Sequence, residues 1–190
     1  MLKADNAIKS DELWNAFRNG DKRAFENIYR SHVKELLAYG FKVIADRRLI
    51  EDSVQDLFFE LWQSKANLSH TTSIKFYLFR ALRYKIIRNA RGNGMALIHS
   101  MDDIDNDPPD LSQENYLIDA EVQAFQADHL KNLILQLPKR QQEVINLRFY
   151  HNFSNDQIAV IMEVNYQSAC KLIYAALKYL KANCKVLSDF

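Results

Sequence analysis

The sequence is short of the residues that interrupt helices, with four glycines and three prolines in 190 positions. A sheet-rich fold with many tight turns needs more of both, so an all-α chain is expected. Long apolar runs are also missing. Nothing approaches the ~20 consecutive apolar residues that cross a bilayer. The opening stretch, MLKADNAIKSDELW, lacks the basic-then-apolar shape of a secretory signal. The two cysteines, Cys170 and Cys184, fall on one expected helix, about 21 Å apart at 1.5 Å per residue. They cannot bridge within that helix, so a reduced, cytoplasmic protein without direct membrane insertion is expected.

Signs of catalysis are absent too. His32, His70, His99, His129 and His151 are scattered without metal-ligand spacing. The GNG stretch lacks the residues of a phosphate loop, and Cys170 has no histidine at useful spacing. No metal, cofactor or small-molecule substrate is expected, and an enzyme is the least supported class.

One further absence is local. Between Leu61 and Met101 there is no acidic residue, while Lys65, Lys75, Arg80, Arg83, Lys85, Arg88 and Arg91 are all cationic. From Asp102 to Leu130 the pattern inverts, with nine acids and no lysine or arginine. The formal net charge of +1 hides this segregation. A basic segment beside an acidic one suits a chain that touches polyanion in one place and avoids or mimics it in another.

Apolar residues make up 48% of the chain, enough for packed cores. Three parts are expected: a helical domain over residues 10–92, an acidic linker over 93–115 and a smaller helical domain over 116–187. In "IEDSVQDLFFELW" the residues Ile50, Val54, Leu57, Phe58, Leu61 and Trp62 recur at helical spacing and should be buried. Asp52, Gln55 and Asp56, spaced i, i+3, i+4, then share the outer face, with Phe59 beside them. That patch is either a solvated helix face or a docking surface for a basic partner. In the next helix, "TSIKFYLFRALRYKIIRNAR", Ile74, Tyr77, Leu78, Ala81, Leu82 and Ile86 should face inward. Lys75, Arg80, Arg83, Tyr84, Lys85, Arg88 and Arg91 are expected outside. Cations interleaved with rings suit single-stranded nucleic acid, charge for phosphates and flat faces for bases.

The C-terminal stretch parses into a helix-turn-helix. After Pro138, residues Val144, Ile145, Leu147 and Phe149 are apolar and expected in the core. Ser154 and Gln157 have capping-box spacing and open a short helix that should bury Ile158, Ala159 and Met162. A turn, MEV, leads to Asn165 as N-cap of the last helix. On that helix Ala169, Leu172, Ile173, Ala176, Leu177 and Leu180 form the expected buried stripe. Gln167, Cys170, Lys171, Tyr174 and Lys178 form the outward one, with Asn165, Tyr166 and Ser168 at the N-terminal end. Its only cations are lysines, but Gln can pair bidentately with adenine and the helix N-terminus can hold phosphate.

In this order the motifs resemble a bacterial RNA polymerase sigma factor of the small extracytoplasmic-function (ECF) group of the sigma-70 family. "AFENIYRSHVKELLAYGFKVI" and "EDSVQDLFFELW" are similar to the family's first conserved region, "SIKFYLFRALRYKIIRNAR" to its promoter-melting segment, and "LPKRQQEVINLRFYHNFSNDQIAVIM" to the start of its C-terminal domain. The resemblance implies two small helical domains joined by a flexible acidic linker, the second a helix-turn-helix (winged-helix-like) domain. It implies that Asp52, Gln55, Asp56 and Phe59 dock on the coiled-coil of the largest polymerase subunit, with further contact to the flap. It implies that Lys75, Arg80, Arg83, Tyr84, Lys85, Arg88 and Arg91 meet the −10 element. The loop "ANLSHTTS", Ala66 to Ser73, would capture a flipped base, and the last helix would read the −35 element. An anti-sigma factor is the implied regulatory partner. The chain departs from the family in having Tyr77 in place of a tryptophan and Tyr84 in place of an asparagine. Glu163 stands where Gly or Asn is usual in the turn, a site that costs roughly 1 kcal/mol if φ is positive. Two other readings remain: an adapter that binds polymerase without reading promoters, and an ordinary helix-turn-helix regulator.

Overall fold

The computed structural model describes residues 2–92 and 120–184. The acidic segment read as a linker lies outside them. By internal packing the chain divides into two compact units, Met1–Ser100 and Met101–Phe190. Among the described residues every regular element is helical.

The first unit holds α1 (Leu2–Arg18), α2 (Lys22–Val43), α3 (Arg47–Gln63), a single 3-10 turn (Lys65–Asn67) and α4 (Ile74–Gly92). Each boundary has a local cause. Gly20, at φ +92°, ends α1, with Gly20 N–H donating to Phe17 O and Asp21 N–H to Ala16 O. That pair of bonds is a Schellman motif, which needs the left-handed backbone that glycine adopts without strain. Asp21 then caps α2 by accepting from Arg23 N at 2.7 Å, and Asp46 caps α3 by accepting from Leu49 N at 2.9 Å. Ser73 starts α4 by accepting from Phe76 N at 3.2 Å.

Packing follows the period of the sequence. Ile50, Val54, Leu57, Phe58 and Leu61 are buried as expected, and Trp62 is half-buried. Helices α2 and α3 approach closely at Gly40, where any Cβ would collide with the Ile50 side chain. Trp14, Phe17, Ile28, Leu36, Tyr39, Leu78 and Phe79 fill the centre. A chain of rings runs along one side, Phe17 to Phe25 at 5.7 Å between centroids and Phe25 to Trp62 at 5.1 Å. Aromatic pairs at such spacing add about 0.5–1.5 kcal/mol each beyond the area they bury.

The second unit holds α5 (Ala120–Gln136), α6 (Lys139–Ile145), a π turn (Asn146–Tyr150), α7 (Asn155–Ile161) and α8 (Tyr166–Asn183). Buried Gln142 closes the α5–α6 corner, its amide donating to Leu135 O at 2.9 Å and Leu137 O at 2.8 Å. Those carbonyls, at the C-terminal end of a helix, have no intrahelical partner of their own. Val144, Ile145 and Leu147 are in the core, but Phe149 is 54% exposed, contrary to expectation. It stands two residues from Leu147, so the helical turn that buries one points the other outward.

Ser154 and Gln157 form the expected capping box, Gln157 N to Ser154 Oγ at 3.2 Å and Ser154 N to Gln157 Oε1 at 3.0 Å. Ile158, Ala159 and Met162 are buried. The turn that follows is a second Schellman motif, Val164 N to Ala159 O at 3.0 Å and Glu163 N to Val160 O at 3.4 Å. Glu163 takes the left-handed position at φ +54°. Asn165 caps α8 through Ser168 N at 2.7 Å. The inner stripe of α8 is Ala169, Ile173, Ala176 and Leu180, against α6 and α7. Leu177 is 41% exposed, not buried as expected. The alternating 4-3-4 spacing of that stripe makes it narrow, and Leu177 falls on its rim.

Candidate nucleic-acid interface

Helix α3 presents Asp52, Gln55, Asp56 and Phe59 to solvent, and Phe59 is 61% exposed. An isolated apolar side chain is ordinary on a surface. This one sits one helical turn from Asp56 and two from Asp52, which makes a mixed acidic and aromatic face. A shallow open groove separates α3 from α4, lined by Asp56, Glu60, Tyr84, Lys85 and Arg88 among others. It continues past Asp52, Arg48 and Asp46, with Arg88 again on its wall. The acidic face and the basic helix, read separately from the sequence, thus share one edge.

The α4 cations divide into three kinds. Arg80, Arg88 and Arg91 are exposed, as is the Tyr84 ring. Lys75 and Lys85 are tied down: Lys75 Nζ lies 2.8 Å from Glu35 Oε2, and Lys85 Nζ lies 2.7 Å from Glu60 Oε1. Arg83, expected on the outside, is buried, with 2% of its surface exposed. The cause is a second stripe on α4. Phe79, Arg83, Ile87 and Ala90 recur at i+4 and i+3 beside the first stripe of Ile74, Leu78, Leu82 and Ile86, and all are buried. Both α2 and α3 pack against α4, so its inner face is wider than one amphipathic stripe. Single-stripe periodicity misses it.

The loop from Ala66 to Ser73 leaves Ala66, Asn67, Ser69, His70 and Thr72 exposed. It is not slack. Trp14 of α1, fully buried, donates its indole N–H to Ser69 O at 3.0 Å. Tyr77 at the foot of α4 packs its ring 5.3 Å from that of Trp14. Burial raises the Tyr77 phenol above its ordinary pKa, Glu60 adds to the rise, and Arg80 opposes it. Trp14 did not figure among the expected site residues, because a hydrogen bond between positions 55 apart leaves no periodic trace.

On α8, Asn165, Tyr166, Gln167, Lys171, Tyr174 and Lys178 are exposed, while Ser168 and Cys170 are half-buried. Gln167, Lys171, Tyr174 and Lys178 line up as one outward stripe. Cys170 turns toward α7, where Asn155 Nδ2 donates to its sulfur at 3.3 Å. The neighbouring Cys170 thiol is also the main cause of the raised pKa of the Tyr166 phenol. Asn155 and Cys170 therefore tie the start of α8 to α7.

A helix-turn-helix on one unit and a basic, aromatic helix beside an acidic face on the other fit the class of DNA-binding transcription proteins. Comparison narrows the class. The family description "Sigma-70 region 2" matches residues 28–95, and "Sigma-70, region 4" matches residues 128–180. Together they span more than half of the chain. The chain belongs to the sigma-70 family, as an RNA polymerase sigma factor acting in transcription initiation.

The fold has solved relatives. One is the sigma factor RpoE of Bartonella quintana, crystallised with the anti-sigma factor NepR, at 18% identity and TM-score 0.58, covering 85% of this chain and 97% of that one. Another is CnrH, solved in complex with the cytosolic domain of CnrY, at 18% identity and TM-score 0.56, covering 91% of this chain and 95% of that one. No curated protein sequence matches the chain significantly. Among the described residues no helix is long and apolar enough to cross a membrane.

Proposed function

We propose that the two units divide promoter recognition between them. The first, residues 10–92, docks on the coiled-coil of the largest polymerase subunit through Asp52, Gln55, Asp56 and Phe59. It meets and opens the −10 element with Arg80, Tyr84, Arg88 and Arg91. The second, residues 116–187, reads the −35 element with Asn165, Tyr166, Gln167, Lys171, Tyr174 and Lys178 and contacts the flap. The acidic segment 93–115 joins them. The observation that carries this reading is the shared edge of the α3 acidic face and the α4 cations. There Asp52 and Asp56, assigned to polymerase, and Arg88, assigned to DNA, line one groove, which supports a single surface serving both partners.

Lys75, Arg83 and Lys85 take a smaller part in that reading. Arg83 is buried and supports α4, and the two lysines are already paired with carboxylates. Such a protein works in the cytoplasm. An anti-sigma partner would hold it inactive, as NepR is found with RpoE in the relative described above. The sigma factor itself carries no catalysis. Polymerase supplies it.

Run-off transcription with purified core enzyme on genomic fragments tests the proposal. Discrete transcripts that depend on this chain are expected. Binding to core without initiation would point to the adapter, and no binding to core would end the reading.

A further inference from the structure

The region 2 match begins at residue 28, so α1 lies ahead of it. Yet α1 holds, through Trp14, the Ala66 to Ser73 loop that the family resemblance assigns to a flipped base. We propose that Trp14 is a positioning residue for promoter selectivity, fixing the backbone of that loop at Ser69 so that its exposed polar side chains present one rigid edge to a base. The inference rests on the reading of Ala66 to Ser73 as a base-reading loop.

The loop is fixed at its start, middle and end. At the start, Lys65 Nζ donates to Trp62 O at 3.1 Å and lies 4.3 Å from the centre of the Trp62 ring. At the end, the Thr71 hydroxyl accepts from Ser73 N at 3.3 Å, and Ser73 caps α4. Between these points the long-range tie is the 3.0 Å bond from Trp14 Nε1 to Ser69 O. A second, weaker approach joins the same two elements, His70 Nε2 lying 4.0 Å from Asp11 Oδ1.

Trp14 suits the task. Its ring is fully buried between Phe17 and Tyr77, each 5.3 Å away, so the indole has no freedom to follow the loop. A buried indole N–H needs a partner, and here the partner is the loop backbone. Held in this way, Asn67 and His70 stand exposed on either side of Ser69. An amide and an imidazole are groups that hydrogen-bond to the edge of an extruded base. A site whose polar groups are fixed before binding loses less on capture and rejects a wrong base more sharply.

The test uses the full chain assembled with core enzyme on a promoter library randomised across the −10 element, with the transcripts sequenced. Trp14→Phe, or benzothienylalanine at position 14, which keeps the fused ring and lacks only the N–H, removes the tie. The expected result is a loss of selectivity at a single −10 position of roughly 2- to 10-fold, the worth of one neutral hydrogen bond. Affinity for core and preference at the other positions should stay unchanged. If Trp14→Phe folds poorly, the isostere carries the test alone.

Asn67→Ala and His70→Ala in the same assay separate the two levels of the proposal. Loop variants that lose selectivity beside a Trp14 isostere that keeps it would overturn the positioning role. If neither loop variant alters any base preference, the base-reading assignment fails and the inference falls with it.

Discussion

Lys85 of α4 and Glu60 of α3 meet across the groove between their helices, with Nζ 2.7 Å from Oε1. The contact is asymmetric: the lysine side chain is 13% exposed and the glutamate 65%. The lysine stem is therefore packed against the helices, and its ammonium reaches out to a carboxylate at the surface. A pair this open to water on one side adds little to stability, about 0–1 kcal/mol. Its consequence is electrostatic. A cation already neutralised by its neighbour has less charge to offer a phosphate than Arg88, which stands on the wall of the same groove.

Promoter binding by the holoenzyme should therefore sort the α4 cations by salt dependence. Arg80→Ala and Arg88→Ala are each expected to reduce the slope of log affinity against log salt by about 0.7–0.9, the contribution of one phosphate contact. Lys85→Ala should reduce it distinctly less. Glu60→Gln should make it steeper, because it releases the lysine. Equal slopes for Lys85→Ala and Arg88→Ala would show that the lysine leaves Glu60 for the DNA.

Arg83 should behave as a core residue. It lies on the buried stripe between Phe79 and Ile87, with 2% of its surface exposed. Arg83→Ala removes both its packing and a buried cation from its surroundings, at an expected cost of about 3 kcal/mol. Denaturant unfolding followed by tryptophan fluorescence reads this directly, since both tryptophans, Trp14 and Trp62, lie in the first unit. An unfolding midpoint equal to wild type, together with weaker DNA binding, would return Arg83 to the interface.

Charge reversal separates docking from folding. Asp52 and Asp56 are exposed on α3 beside Phe59, so surface substitutions there should change stability by no more than ~0.5 kcal/mol. If the face docks on a basic partner, the double variant Asp52→Lys/Asp56→Lys should weaken core binding on the order of 100-fold. That is about tenfold for each reversed contact. Sedimentation or competition binding against wild type measures it. Unchanged affinity would place the docking face elsewhere.

The sequence was legible where one residue decides a local outcome. The Ser154–Gln157 box, the Asn165 cap and the inner face of α3 each depend on a side chain and its near neighbours, and each stands as expected. It was less legible where a helix meets more than one partner. Two helices cover α4, so a second stripe drew Arg83 inward. On α8, Leu177 falls on the rim of the 4-3-4 inner stripe and stays exposed. Least legible was Trp14, whose role depends on the carbonyl of a residue in a distant loop. The residue roles in binding rest on partners that the single chain does not contain.

Glu163 offers a change that should strengthen the second unit. It occupies the left-handed position of the Schellman motif between α7 and α8, at φ +54°. An L-residue with a Cβ is strained there by roughly 1 kcal/mol, whereas glycine is not. The side chain is exposed, and the motif's bonds come from the backbone, so Glu163→Gly removes strain without removing a contact that holds the turn. Glycine also loosens the unfolded chain, which offsets part of the gain. The expected net effect is a stabilisation of about 0.5 kcal/mol. It should appear in the helical circular dichroism of the second unit's unfolding and leave tryptophan fluorescence, which reports the first unit, unmoved. A lower midpoint shared by Glu163→Gln, which keeps the Cβ strain and removes the charge, would mean that the Glu163 carboxylate holds the turn through its side chain. A lower midpoint for Glu163→Gly alone would mean that the entropy of the unfolded chain outweighs the strain.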